Sequence, residues 1–220
     1  MTVYSDIDII IALEKEDIII HPYVLANLNG ASFDVTLGEW FYVTDRLSSQ
    51  QFYNPYDPVD VARYFGEPLQ AISNIEWSTK HGQLPFVNIP LDCLIIVLRP
   101  GERILAHTEE FIGMRPPGVP EMRARSTIGR NGIVICNDAG WGDPGYINRW
   151  TMEIQNNNQV AIPLPVGERV AQIVFHHTGP VNQTYGDSGK YQQGDNLQYL
   201  ITSWEPSKML PRAYLDLNID

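Results

Sequence analysis

The chain has 220 residues, 44% hydrophobic and 19% charged, with a formal net charge of −11. That composition suits one globular domain with a real core, and an acidic surface argues against a nucleic acid polymer as partner. No run approaches the roughly 20 apolar residues of a membrane span, and the opening Met1-Thr2-Val3-Tyr4-Ser5-Asp6 lacks the regions of a signal peptide, so no membrane role and a cytoplasmic location are expected.

Ser5 is placed to cap a helix, with Asp8 three residues on as in a capping box. Ile7, Ile10 and Ile11 follow at helical spacing, which predicts a short amphipathic helix to about Glu14. Residues 45–84 are the least regular stretch, with Pro55, Pro58 and Pro68 and a helical turn expected over Val59 to Tyr64; a flap or a subunit-packing arm would fit. Cys93 to Leu98 is an apolar run closed by Pro100-Gly101, and Gly132 to Cys136 is another. The two cysteines, Cys93 and Cys136, read as buried inert thiols, not as a disulfide framework. From Trp150 to Gln155 strict alternation puts Trp150, Met152 and Ile154 on one face and Thr151, Glu153 and Gln155 on the other. Val160 to Leu164 and Arg169 to Phe175 are two more strands around the turn at Pro165-Val166-Gly167. The 17 Gly and 16 Pro fall mainly between these runs. With no βαβ alternation and no repeat, the pattern predicts an all-β barrel or jelly-roll-like fold with a short N-terminal helix. One domain is expected over 1–220, its core about 5–200, with a tail 201–220 that packs on a neighbour or is loose.

Arg115, Arg123, Arg125 and Arg130 are four of the 15 Lys and Arg. A concentrated arginine segment in an acidic chain suits a small polyanion; pairing with Glu109, Glu110 and Glu121 is the other reading. Ser126 can cap a single helical turn ended by Gly132, which points free backbone N–H groups at its start. Arg125 and Arg130 flank it with guanidinium forks suited to phosphate. Alone, Ser-x-x-x-Arg reads first as a plain capped turn. In Gly142-Asp143-Pro144-Gly145 the aspartate is by itself an ordinary turn former. Glu153, mid-strand on the polar face, is either solvated or placed for work.

In order along the chain, Arg125-Ser126-Thr127-Ile128-Gly129-Arg130, Ala139-Gly140-Trp141-Gly142-Asp143-Pro144-Gly145-Tyr146, Thr151-Met152-Glu153-Ile154 and Gly167-Glu168-Arg169-Val170-Ala171-Gln172-Ile173 resemble the motif series of the dCTP deaminases, within the superfamily that includes the dUTPases. Ser5 to Ile9, Ser32 to Gly38, Ala106 to Glu110, Tyr185 and Lys190-Tyr191-Gln192 extend the resemblance. It implies a distorted β-barrel, a homotrimer with sites between subunits, and hydrolytic deamination at cytosine C4 without a catalytic metal. By position it implies Glu153 as general base, with Ser126 and Arg130 positioning base and water. Arg125, Thr127, Gln172, Tyr185 and Lys190 would hold the triphosphate, together with the turn at Ile128-Gly129 and with Gln193. Asp143 would contact the 3′-hydroxyl, and the backbone around Ala139 and Thr151 would read the base. Magnesium would ride on the triphosphate, mostly through water.

Zinc is the usual alternative in deaminases, through H-x-E and P-C-x-x-C. His107-Thr108-Glu109 matches the first half, but Cys136 stands alone and His176-His177 has no partners at ligand spacing, so no protein-bound metal is expected. Gly140-Trp141 resembles the members that carry dCTP to dUMP, a small residue leaving space near sugar and phosphates while the indole walls off water. Gly142 and Gly194 depart from the family pattern. Two competing functions remain at this stage: a dUTP diphosphatase without deaminase activity, with Asp143 activating water, and a non-catalytic nucleotide-binding trimer.

Overall fold

The computed structural model describes residues 2–44, 52–137 and 139–216; residues 45–51 of the irregular stretch and 217–220 of the tail lie outside these. The helices are α1 (Asp6–Glu14), α2 (Pro58–Phe65), α3 (Asn74–His81), α4 (Ser126–Arg130), α5 (Tyr185–Ser188) and α6 (Leu197–Ser203). The strands are β1 (Ile18–His21), β2 (Leu28–Asn29), β3 (Ser32–Val43), β4 (Leu69–Gln70), β5 (Ile72–Ser73), β6 (Leu94–Leu98), β7 (Arg103–Met114), β8 (Gly118–Ala124), β9 (Ile133–Val134), β10 (Ile147–Asn156), β11 (Ile162–Pro165) and β12 (Arg169–His177).

The expected all-β architecture holds. The larger sheet runs β8-β12-β3-β7-β10-β9, with β1 on β7 and with β2 and β4 on β3; a smaller one runs β11-β6-β5. Strand β3 turns the corner. Its first half pairs antiparallel with β12 and its second half with β7, and the register shifts between Leu37 and Phe41. A shifted register bends and twists a strand, and here it wraps the sheet into a distorted barrel around one apolar core. Phe33, Val35 and Leu37 of β3 meet Ile96 and Leu98 of β6 and Ile173 and Phe175 of β12 there. Gly38 lies in the bend: a Cβ would stand 2.0 Å from His107 Cε1, so a bare backbone is what lets the imidazole fill the corner.

The Ser5 cap forms as expected, its oxygen accepting from Asp8 N–H at 3.2 Å while Asp8 accepts from Ser5 N–H at 3.0 Å. The buried face of α1 does not match the expectation. Ile9 and Ala12 enter the core, whereas Ile7, Ile10 and Ile11 are 65%, 40% and 43% exposed. Backbone bonds from Tyr4 N–H to Phe175 O and from Asp6 N–H to Gly30 O, both 3.0 Å, clamp the chain at the helix start and set its rotation.

The stretch expected to be irregular is ordered wherever it is described, with α2, β4, β5 and α3. α3 docks through Asn74, fully buried, whose side-chain amide donates to Phe86 O and Ile89 O and accepts from Phe86 N–H. The tail packs on its own chain: Met209 is buried with Tyr42, Val61, Phe65 and Leu105. Cys136 is buried and Cys93 half-buried.

Candidate active site

The alternation in β10 is realised. Trp150, Met152 and Ile154 are in the core, and Arg149, Thr151 and Glu153 face the other way. The register with β7 shifts between Arg149 and Thr151, so that Arg149 pairs with Phe111 and Thr151 with His107. The Thr108 hydroxyl accepts from Trp150 N–H at 2.9 Å and donates to Glu110 O at 2.7 Å, which satisfies the backbone opened there. Strand irregularities of this kind re-aim side chains beside functional sites. Here they present Arg149, Thr151 and Glu153 to a cavity of about 690 Å³ walled by α2, the 139–146 loop, Tyr185 and the tail.

Burial raises the Glu153 carboxyl above its ordinary pKa; a hydrogen bond from its own backbone N–H and the Arg103 guanidinium offset part of this. Among the described residues its Oε2 is buried without a hydrogen-bond partner, as are Tyr53 Oη and Arg149 Nε, and all three residues line the same cavity. A poised carboxylate with an unspent oxygen is what a general base needs. Nearby, Tyr146 packs edge-on against Tyr185 at 5.0 Å, and its hydroxyl is pushed above the ordinary tyrosine value by burial first and then by its charged and titratable neighbours.

Ala139, Trp141, Asp143, Thr151, Glu153, Tyr185 and Lys190 line this cavity together. Trp141, half-exposed, pairs across a bridge with Glu121. Gly140 does not open space for a ligand: a Cβ there would meet Met122 O at 2.2 Å, so the neighbouring strand takes that room. The Lys190 ammonium forms an ion pair with Asp216. Gln193 is exposed and does not line the cavity. Gln192 is the buried one, accepting from Ile147 N–H at 2.7 Å and donating to Gly145 O and Gly194 O.

Arg125, Ser126, Thr127, Ile128, Gly129, Arg130 and Gln172 do not line this cavity. Ser126 is the first residue of α4; the cap is Arg125, which makes no side-chain cap bond, so the expected Ser126 cap is corrected. The arginine cluster splits by partner. Arg115 pairs with Asp195 at 3.2 Å, Arg123 with Glu121 at 2.5 Å, and Arg125 with the buried Asp34 at 3.3 Å, which also holds Arg169. Arg130 alone of the four has no ion pair among the described residues, and it is exposed. Gln172 accepts from the Ser32 hydroxyl at 3.3 Å.

His107 is fully buried and its pKa is lowered to about 4, by burial first. As a neutral ring its Nδ1–H donates to Thr108 O at 2.8 Å and its Nε2 accepts from Trp40 N–H at 3.2 Å, so both nitrogens are occupied. Among the described residues no group of three or more His, Cys, Asp or Glu is placed to hold a metal ion. Tyr53, Arg103, Arg149 and Lys208 line the cavity without having been singled out in sequence. Arg149 had a usable signal, since it continues the polar face of β10 beyond the strand counted from Trp150.

The family profile described as dCTP deaminase-like matches residues 3–178. The chain belongs to the dCTP deaminase-like family. A Methanopyrus kandleri protein described as "dCTP deaminase, dUMP-forming" is 34% identical over 215 residues, 95% of this chain and 96% of its own length. A Halobacterium salinarum protein of the same description is 30% identical over 202 residues, 89% and 92% of the two chains. Among solved structures, the 2′-deoxycytidine 5′-triphosphate deaminase from Agrobacterium tumefaciens superposes with a TM-score of 0.54 at 16% identity. That match covers 80% of this chain and 48% of the other, and places the chain in the same fold. The family-like segments read from the sequence between Ser5 and Ile173 therefore lie within the matched span, among them segments on β3, β7, β10 and β12.

Proposed function

We propose that this chain deaminates dCTP with water activated by Glu153 and carries the product on to dUMP and diphosphate. The observation that carries the reading is the Glu153 carboxylate on the cavity face of β10, pushed up by burial and with one oxygen unspent. The curated relatives described as dUMP-forming dCTP deaminases support the substrate and the product.

Glu153 takes a proton from water as the oxygen adds to cytosine C4 and passes it to N3; it then moves the proton of the new C4 hydroxyl to the amino group, which departs as ammonia as the C4 carbonyl forms. A second water then attacks the α-phosphorus, giving dUMP and diphosphate. Asp143 and Trp141, on the loop at the cavity edge, contact the sugar and limit the water that reaches phosphorus. Backbone groups at Ala139 and Thr151 read the base, and Tyr185 and Lys190 bind phosphate; magnesium enters with the triphosphate.

Ser126 and Arg130 position base and water from a second subunit, with Arg125, Thr127, Ile128, Gly129 and Gln172 forming that subunit's phosphate-facing surface. What supports a homotrimer with shared sites is that these residues are ordered and lie away from the cavity of their own chain, with Arg130 exposed and without an ion pair among the described residues. The test is ammonia release from dCTP and Mg²⁺ by the purified protein. Ammonia matched by uridine nucleotide is expected, and none would overturn the reading.

A further inference from the structure

The segment from Trp204 to Asp216 lies beyond the span matched to the family profile, and it folds back over the cavity. Trp204 packs on His107 at 4.6 Å between ring centroids and covers the Arg149 guanidinium at 4.8 Å. Met209, 4% exposed, anchors the short turn Pro206–Met209 beside Leu105, the cross-strand partner of Glu153. The chain then returns to the Lys190-Tyr191 segment, where Arg212 N–H donates to Tyr191 Oη at 3.0 Å and Asp216 pairs with Lys190.

Four cations line the cavity: Arg103, Arg149, Lys190 and Lys208. Arg149 is held by Glu109 at 3.1 Å and Lys190 by Asp216. Burial raises the Glu153 pKa and Arg103 lowers it, so Arg103 is engaged with that carboxylate. Lys208 is half-buried against the cavity, its backbone fixed by the Met209 anchor, and it has no ion pair among the described residues. A lysine held this way is a point charge facing the space that a polyanion would fill.

We propose that Lys208 is a triphosphate-binding residue of this site, and that Asp216 holds Lys190 in the free protein and yields it when the polyanion enters. The second step is easy because the Asp216 side chain is 56% exposed and such pairs contribute little. The inference rests on reading the cavity as a nucleotide site.

The test is equilibrium binding of dCTP and of inorganic triphosphate, at low and high salt, with melting of the unliganded proteins. Lys208→Met should weaken both ligands about tenfold at low salt, with a smaller effect at high salt and an unchanged melting midpoint. Lys208→Arg should restore most of the affinity. Asp216→Asn should bind both about twofold to fivefold more tightly. Lys208→Met binding within twofold of wild type would overturn the Lys208 assignment, and Asp216→Asn binding no more tightly would overturn the latch. If wild type failed to deaminate dCTP yet bound inorganic triphosphate through Lys208, the activity would fall and the anion site would stand. If deamination held and Lys208→Met were silent, the inference alone would fall.

Discussion

Replacing Glu153 with Gln keeps the side-chain shape and removes the proton acceptor. Two consequences of opposite sign follow. Losing general-base assistance should lower ammonia release roughly 10²-fold or more, while dCTP still binds. Stability should move the other way. The folded pKa of Glu153 is raised, by burial first, so its ionised form is penalised in the folded state. The penalty is absent below the unfolded carboxylate range and sets in as pH rises through the folded pKa. Oε2 has no hydrogen-bond partner among the described residues and the side chain is half-buried. Gln leaves a polar atom there, so what it removes is only the extra cost of burying a charge over a neutral polar group, on the order of 1 kcal/mol. For a chain of this size each kcal/mol moves the melting midpoint roughly 2–4 °C. Glu153→Gln should therefore melt a few degrees above wild type at pH 8 and close to it at pH 4. The assays are ammonia release at saturating dCTP and thermal melts without nucleotide at both pH values. A variant that released ammonia normally, or that melted below wild type at pH 8, would refute the assignment.

The acid limb of kcat/KM for deamination should lie above the ordinary carboxylate range, since Glu153 must be ionised to act; Arg103→Met should move it further up, because Arg103 lowers the Glu153 pKa, and a limb that stayed put would remove Arg103 from the site. Arg130→Ala should lose most turnover and weaken nucleotide binding by about 1.5–3 kcal/mol, the range for a charged hydrogen bond, and normal turnover would detach α4 from the reaction. Light scattering at micromolar concentration should give three times the 24.9 kDa chain mass; a monomer would refute the shared site.

The β10 face was legible because Trp150, Met152 and Ile154 alternate with Thr151 and Glu153 without interruption, and a period of two leaves no other register. The α1 cap was legible for the same local reason, since Ser5 and Asp8 satisfy each other. Its buried face was not. The rotation is set by backbone bonds to Phe175 and Gly30, which no spacing of isoleucines records. Helix α3 escaped notice because a buried amide network at Asn74 docks it, not an apolar stripe. Glu153, Asp143 and Lys190 stood out as motif residues. Tyr53, Arg103 and Lys208 did not, because only the closed barrel and the returning tail bring those distant positions to one cavity. Gly140 shows the opposite failure: its smallness suggested room for a ligand, and the Met122 carbonyl occupies that room.

The most direct measurement is a time course of the purified protein with dCTP and Mg²⁺ that follows ammonia, diphosphate, dUTP and dUMP together. Ammonia, diphosphate and dUMP should rise in equal amounts with little free dUTP. Accumulation of dUTP one-for-one with ammonia, without diphosphate, would limit the chain to deamination. Cleavage of added dUTP with dCTP untouched would contradict the central claim and remove Glu153 from its role.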